Sequence, residues 1–224
     1  MNPSSKTQTD RFAAQRQEMV KTQLRQRGVR DERVLAVMES VPRHEFVLVD
    51  DHQNAYADSP LPIGEGQTVS QPLIVAIMLE ALALQGSEIV LEVGTGSGYQ
   101  TALLARLVQQ VYSIERFPVL AQSASERLQR LGHNNVALFT GDGSLGLPEK
   151  APFDCIIVSA AAPRIPQPLL EQLRPQGRMV IPVGPAYSQQ LQLVQMRDGQ
   201  AVIKSIEGCR FVPLIGSQGY DRGW

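Results

Sequence analysis

In the stretch Val90-Leu91-Glu92-Val93-Gly94-Thr95-Gly96-Ser97-Gly98-Tyr99, an acid and three alternate glycines stand between an apolar run and a helical pattern. Glycine lacks Cβ, so such a run turns sharply and lets a ligand approach the main chain closely. The spacing is GxGxG. The dinucleotide fingerprint is GxGxxG, with a pyrophosphate at the helix N-terminus, and Tyr99 stands where its third glycine would be. Glu92, two residues before the first glycine, would repel a phosphate but can accept a hydrogen bond from an ammonium group. The competing reading of this stretch alone is a glycine-rich βα turn without a ligand. Two more carboxylates follow at element ends: Glu115 and, within Gly141-Asp142-Gly143, Asp142.

These groups need elements to hold them. Met1 to Asp10 is polar and reads as frayed, so residues 1–14 are expected to be flexible. From Arg11 to Arg27, Phe12, Met19, Val20 and Leu24 fall near one helical face, with Gly28 as a stop. Asp31 can cap a second helix through Val34, Leu35, Val37 and Met38, ended near Pro42, so residues 15–50 hold N-terminal helices. Asp50 to Pro72 reads as a long loop rich in Pro, Gly and polar residues, and loops of that length are often functional. Leu73 to Leu84 reads as a largely buried helix. A βα rhythm follows: strand Ile89–Val93, helix Tyr99–Val108, strand Val111–Ile114, helix Val119–Leu131, strand Val136–Thr140, strand Cys155–Val158, helix Pro166–Leu173 and strand Arg178–Val183. Leu191–Met196 and Ala201–Ile206 flank Asp198-Gly199, a hairpin signal. The expected fold is α/β: a doubly wound, mostly parallel sheet with an antiparallel C-terminal hairpin and N-terminal helices. Residues 1–224 read as one domain, with 217–224 as a tail.

Composition limits the partners. An apolar fraction of 43% and a charged fraction of 19% suit an ordinary globular protein. A formal net charge of −1 gives no general attraction to nucleic acid or anionic lipid, although a local basic patch would be compatible with it. No apolar run approaches membrane-spanning length, and Met1 to Lys21 lacks a secretory apolar core, so neither nucleic acid nor membrane is expected as a partner and the cytoplasm is the expected compartment. Cys155 and Cys209 have no CxxC spacing, and Cys155 sits in an apolar run where a buried reduced thiol fits. His44, His52 and His133 share no motif and read as surface or structural residues.

Acid-x-Gly-x-Gly-x-Gly resembles the first motif of the class I S-adenosylmethionine methyltransferases, and Glu92, Gly94, Thr95, Gly96 and Gly98 carry that resemblance. In such a site Glu115, ending the second strand of the rhythm, can accept bonds from both ribose hydroxyls. Asp142 and the Gly143 N–H can meet the exocyclic amine and a ring nitrogen of adenine; a plain Asp-Gly turn is the alternative. Asp154, before the next strand, reads as mainly structural. The loop Pro62-Ile63-Gly64-Glu65-Gly66-Gln67-Thr68-Val69-Ser70-Gln71-Pro72 narrows the resemblance to the protein-L-isoaspartate O-methyltransferases. Ser159 to Pro163, Gly177 to Gly184 and Arg210-Phe211-Val212-Pro213-Leu214 support it in the same order. That family methylates the free α-carboxylate of L-isoaspartyl residues in damaged proteins and peptides, with S-adenosyl-L-methionine as cofactor. The resemblance implies that Ser70 matches an active-site serine and that Gln67, Thr68, Val69 and Ser70 lie against the cofactor. One departure is Ile215, where some members carry a threonine that contacts cofactor or substrate. Another methyltransferase, acting on RNA or a small molecule, and a non-catalytic binding module are the other readings.

The implied chemistry needs no general base. A carboxylate with a pKa of roughly 3 to 4 is already ionised at neutral pH, so the site's task is to hold it in line with the methyl donor. Serine is also a preferred helix N-cap, and Ser70 lies just before Pro72, so a capping role stands beside the orienting one. Thr68-Val69-Ser70 and the Pro182-Val183-Gly184 strand end are the expected walls of the substrate site.

Overall fold

A computed structural model describes residues 3–223 of the chain. Its central feature is a seven-stranded sheet. In chain order its strands are β3 (Ile89–Val93), β4 (Gln110–Glu115), β5 (Val136–Thr140), β6 (Phe153–Val158), β7 (Leu173–Val183), β8 (Gln189–Arg197) and β9 (Gln200–Cys209), after a small β1 (Leu61–Gly64) and β2 (Gln67–Val69) hairpin. The spatial order is β5-β4-β3-β6-β7-β8-β9, parallel through β7 and antiparallel from β7 to β9. The doubly wound expectation and the C-terminal hairpin both hold. Asp198 and Gly199 make that hairpin turn at φ 51° and 76°, the left-handed pair that a two-residue hairpin needs.

Alternation along the strands builds a core on each face of the sheet. Val90, Cys155 and Ile157 turn to one face, where they join residues of the N-terminal helices and of α3 (Pro72–Leu82), α4 (Tyr99–Leu107) and α5 (Pro118–Arg130). Leu91, Val93, Ile156 and Val158 turn to the other, with Leu169 of α6 (Gln167–Glu171). Such strands are buried on both sides, which is why they read as unbroken apolar runs. Among the described residues, no helix is long and apolar enough to cross a membrane.

The N-terminal part follows its pattern with one change. Helix α1 (Pro3–Glu18) continues into a π-helical stretch, Met19–Arg25, which buries Met19, Val20 and Leu24. Met1 and Asn2 lie outside the described residues, and α1 begins within the segment expected to be flexible. Helix α2 (Glu32–Ser40) is capped as expected, the Asp31 carboxylate accepting from the Arg33 and Val34 N–H groups. The expected long loop is the main difference: it holds a 3-10 turn, Val49–Asn54, and the β1–β2 hairpin. Strands of four and three residues, with Pro62 and two turn glycines among them, leave no alternating run to read. At the other end, α6 stops short and β7 starts at Leu173, which pairs with Phe153 ahead of a register shift.

Candidate functional site

Strand order reverses between β3 and β6, and chain leaving those strands diverges there, the place where open α/β sheets hold ligands. A cavity of about 780 Å³, open mouth included, occupies that point. Its walls come from Gly94–Ser97 after β3, Ile114–Arg116 at the end of β4, Gly143 after β5, Ser159 and Ala160 after β6, Gln67–Ser70 of the hairpin, and the segment Val212–Ile215. Of the expected residues, Gln67, Thr68, Val69, Ser70, Gly94, Thr95, Gly96, Glu115 and Gly143 meet here.

Glu115 holds the glycine turn to the strand beside it. Its Oε2 accepts from Gly96 N at 2.9 Å and its Oε1 from Phe117 N at 3.0 Å, and the residue is 5% exposed. A carboxylate has about four acceptor sites, so both oxygens keep capacity for hydroxyl donors in the cavity. Gly98 does a different job. At φ 86° it precedes α4, and a Cβ there would lie 3.3 Å from Ala124 Cβ. It lets α5 approach the turn and does not line the cavity.

Glu92 is set back from the cavity as well. It is fully buried, with Oε2 accepting from Thr101 Oγ1 at 2.5 Å and Ser113 Oγ at 2.7 Å, and Oε1 from Gln100 Nε2 at 3.1 Å. The same Gln100 nitrogen donates to Ser159 Oγ at 2.8 Å, so Glu92 reaches the wall through Gln100. Burial, only partly offset by these three donors, pushes its carboxyl up from 4.5 to about 7. The folded state therefore holds this proton more tightly than the unfolded chain does. That contribution to stability is full below 4.5 and is lost as pH rises through about 7. At 1.36 kcal/mol per pKa unit it amounts to roughly 3 kcal/mol. Urea midpoints from pH 4 to 8 are expected to decline more steeply for the native chain than for Glu92→Gln; parallel curves would refute the shift.

The hairpin wall separates two spaces. A second cavity, about 1200 Å³ with its mouth, is lined by Arg27, Gln71, Ile74, Cys209, Arg210 and Phe211 among others. Thr68, Ser70, Ser159 and Val212 line both. Ser70 does not cap α3, whose N-cap residue is Gln71. Among the described residues, the Ser70 hydroxyl makes no hydrogen bond. The cap comes instead from Asp58, a residue the sequence reading passed over. Its Oδ1 accepts from Leu73 N at 3.2 Å, and its Oδ2 accepts from Gln71 Nε2 at 2.8 Å and Arg27 Nη1 at 3.2 Å. Pro72 has no N–H to satisfy, so this distant carboxylate meets the first N–H that the helix offers, that of Leu73. Asp-Ser in a loop carries no signal for such a role.

Asp142 stands apart from the cavity. Its Oδ1 accepts from Ser144 N at 2.9 Å and Ser144 Oγ at 2.6 Å, and its Oδ2 from Ser217 N at 2.7 Å, so it ties its own turn to the C-terminal segment. Burial opposes ionisation there, and the hydrogen bonds from Ser144 and Ser217 outweigh it to lower the pKa. Asp154 is structural, accepting from Ile89 N at 2.8 Å and Arg174 Nη1 at 2.8 Å. The Pro182-Val183-Gly184 strand end lines neither cavity: Ala162 N bonds Pro182 O and Gly184 N bonds Ala162 O, which places it behind the Ala162 segment. Glu207 to Val212 line the second cavity instead. Ser159, Gln100 and Val212 to Leu214 were not expected to line a site, since a lone serine, a helical glutamine and an apolar run look like scaffold; Ile215, noted for standing where some family members carry a threonine, takes its place in the first cavity's wall. His44 accepts or donates at Tyr56 OH, 2.7 Å away, and stacks on Phe12 at 4.0 Å, remote from both cavities.

Residues 14–219 match the family model of the protein-L-isoaspartate(D-aspartate) O-methyltransferases. A Koribacter versatilis protein-L-isoaspartate O-methyltransferase is 54% identical over 210 residues, covering 94% of this chain and 95% of the relative. One from Methanoculleus marisnigri is 50% identical over 214 residues, covering 96% and 97%. Among solved structures, a protein-L-isoaspartate O-methyltransferase aligns at TM-score 0.82 and 29% identity, covering 91% of this chain and 67% of that one. A Plasmodium falciparum protein described as the same enzyme, in complex with S-adenosyl-L-homocysteine, aligns at TM-score 0.79 and 25% identity, covering 89% and 98%.

Proposed function

The chain belongs to the protein-L-isoaspartate(D-aspartate) O-methyltransferase family, and from that premise we propose that it methylates the α-carboxylate of L-isoaspartyl residues in damaged proteins and peptides. The observation that carries the reading is Ser70, whose hydroxyl makes no hydrogen bond among the described residues and stands in the wall common to both cavities. The first cavity suits S-adenosylmethionine: a buried carboxylate at one strand end, a close-approach glycine turn, and apolar sides from Val69, Ile114 and Leu214. When bound, that cofactor supplies an electrophilic methyl group on a sulfonium. Glu115 holds the ribose end, Gly143 offers its N–H to the base, and Glu92 acts on the wall through Gln100. From the second cavity, Ser70 and Thr68 orient the incoming carboxylate while Val212 closes the side against water. The ester formed has a methoxide leaving group, so the succinimide re-forms without further catalysis and reopens in part to the normal linkage. Residues 1–224 act as one methyltransferase domain, for the N-terminal helices share a single core with the sheet. Isoaspartyl proteins and peptides, not nucleic acid, are its partners, in keeping with a net charge of −1, and the cytoplasm is its compartment.

The test pairs isoaspartyl peptides with their normal aspartyl twins. Methyl ester is expected on the isoaspartyl member alone, because the aspartyl side chain sets its carboxylate off line, a displacement that can cost about a hundredfold. Equal methylation of both, or of neither while an RNA or small molecule is modified, would overturn the reading. Ser70→Ala is expected to lower turnover about tenfold, near 1.4 kcal/mol, with melting temperature and cofactor affinity unchanged. Loss of a helix cap would instead cost about 1 kcal/mol of stability. Melting curves and kinetics run in parallel tell these apart.

A further inference from the structure

Tyr99, in the wall of the first cavity, belongs to a stack of two rings and two cations drawn from three segments of the chain, Arg43 and Phe46 sharing one 3-10 turn. Arg127 of α5 lies over the Phe46 ring at 5.8 Å from its centroid, Phe46 and Tyr99 are 5.5 Å apart, and Arg43 lies over Tyr99 at 4.9 Å. One end of the stack grips the glycine turn, for Arg127 Nη1 donates to Ser97 O at 2.7 Å. The other end grips the chain leading to the hairpin. Arg43 Nε donates to Ala55 O at 2.8 Å, and its Nη2 makes a longer contact with Ser59 O at 3.5 Å.

Arg43 is an expensive way to fill this space. It is fully buried, and among the described residues it makes no ion pair, while its Nη1 and the Tyr99 hydroxyl find no hydrogen-bond partner. Burying an uncompensated charge costs several kcal/mol, and an apolar side chain of similar volume often serves stability as well or better. What an apolar side chain cannot do is hold two carbonyls of the 55–59 segment and a ring of the cavity wall at once. That segment runs directly into β1, β2 and Ser70.

We propose that Arg43 is a positioning residue for methyl transfer, setting the loop that ends in Ser70 against the glycine turn by holding the Ala55 and Ser59 carbonyls and the Tyr99 ring together. The proposal rests on the methyltransferase reading above. It makes Arg43 matter to the alignment of the two substrates and little to the affinity of either cavity for its own.

The full-length protein, Arg43→Met and Arg43→Lys are compared at a temperature below all three melting transitions, with an isoaspartyl peptide as methyl acceptor and S-adenosylhomocysteine as titrant. In Arg43→Met, turnover is expected to fall at least about tenfold, while the S-adenosylhomocysteine dissociation constant changes less than about threefold. Arg43→Lys keeps the charge but not the planar fork, so it should lie between Met and the native chain. Native turnover in Arg43→Met overturns the proposal. So does a loss of turnover matched by equal losses of cofactor affinity and melting temperature, the mark of a merely structural residue. If Arg43→Met does not fold, Arg43→Lys decides: reduced turnover with unchanged cofactor affinity supports the proposal, and native turnover overturns it. A native protein inactive on the peptide overturns the functional reading and this inference with it; an active native protein with an indifferent Arg43 overturns the inference alone.

Discussion

Valine in place of Gly96 is expected to abolish cofactor binding in a protein that still folds. Gly96 sits at φ +52°, and left-handed backbone costs an L-residue about 1–2 kcal/mol, more when the side chain is β-branched. Gly96 stands in the first cavity's wall, and a Cβ there would lie 3.2 Å from Ile63 Cδ1 of the hairpin, so the added methyls have only the cavity or the hairpin to enter. The Gly96 N–H must also stay aimed at Glu115. Gly96→Ala provides the graded comparison, since its single methyl meets only the yielding end of Ile63. Calorimetric titration with S-adenosylhomocysteine and a melting curve measure the two effects. Near-native affinity in Gly96→Val would mean that the ligand does not approach the turn.

Glu115→Ala should weaken cofactor binding ten- to a hundredfold. Hydrogen bonds to a charged acceptor contribute roughly 1.5–3 kcal/mol each, and the ribose hydroxyls would lose theirs. The structure adds a second cost. Both Glu115 oxygens already accept main-chain N–H groups, so the alanine variant also releases the Gly96 turn and leaves the Phe117 N–H uncovered at the entrance to α5. A modest fall in melting temperature should therefore accompany the loss of affinity. Glu115→Gln, which keeps one acceptor oxygen, should fall between. Unchanged affinity in a folded alanine variant would remove Glu115 from the ribose site.

Strand β3 was legible to the residue because a strand buried on both faces is an apolar run bounded by polar turns, and β5, a half-buried edge strand, because its short apolar run lies between Asn135 and Gly141. The Asp31 cap and the Asp198-Gly199 hairpin were legible because each depends on local chemistry alone. Asp58 was not: its work is done on Leu73, Gln71 and Arg27, contacts that only the folded chain makes. Glu92 and Asp142 show the same limit from the other side. Their positions in motifs were plain, but their neighbours Thr101, Ser113 and Ser217 occupy them from distant segments. Sequence spacing locates a carboxylate at a strand end without telling whether it faces the ligand or the scaffold.

The partition formed by Thr68, Ser70, Ser159 and Val212 bears on how freely the protein could be retuned. With donor and acceptor assigned to the two chambers as proposed above, residues that face one chamber only, such as Glu115 on one side and Phe211 on the other, would offer independent handles on the two affinities. Changes at well-separated, unconnected sites combine additively, so donor and acceptor preference could be altered there in separate steps. The four shared residues allow no such separation of effects: each stands in the wall of both chambers, so substitutions combined among them are expected to be non-additive. An effort to widen the range of protein acceptors would do best to leave the partition intact and work outward along Glu207 to Phe211.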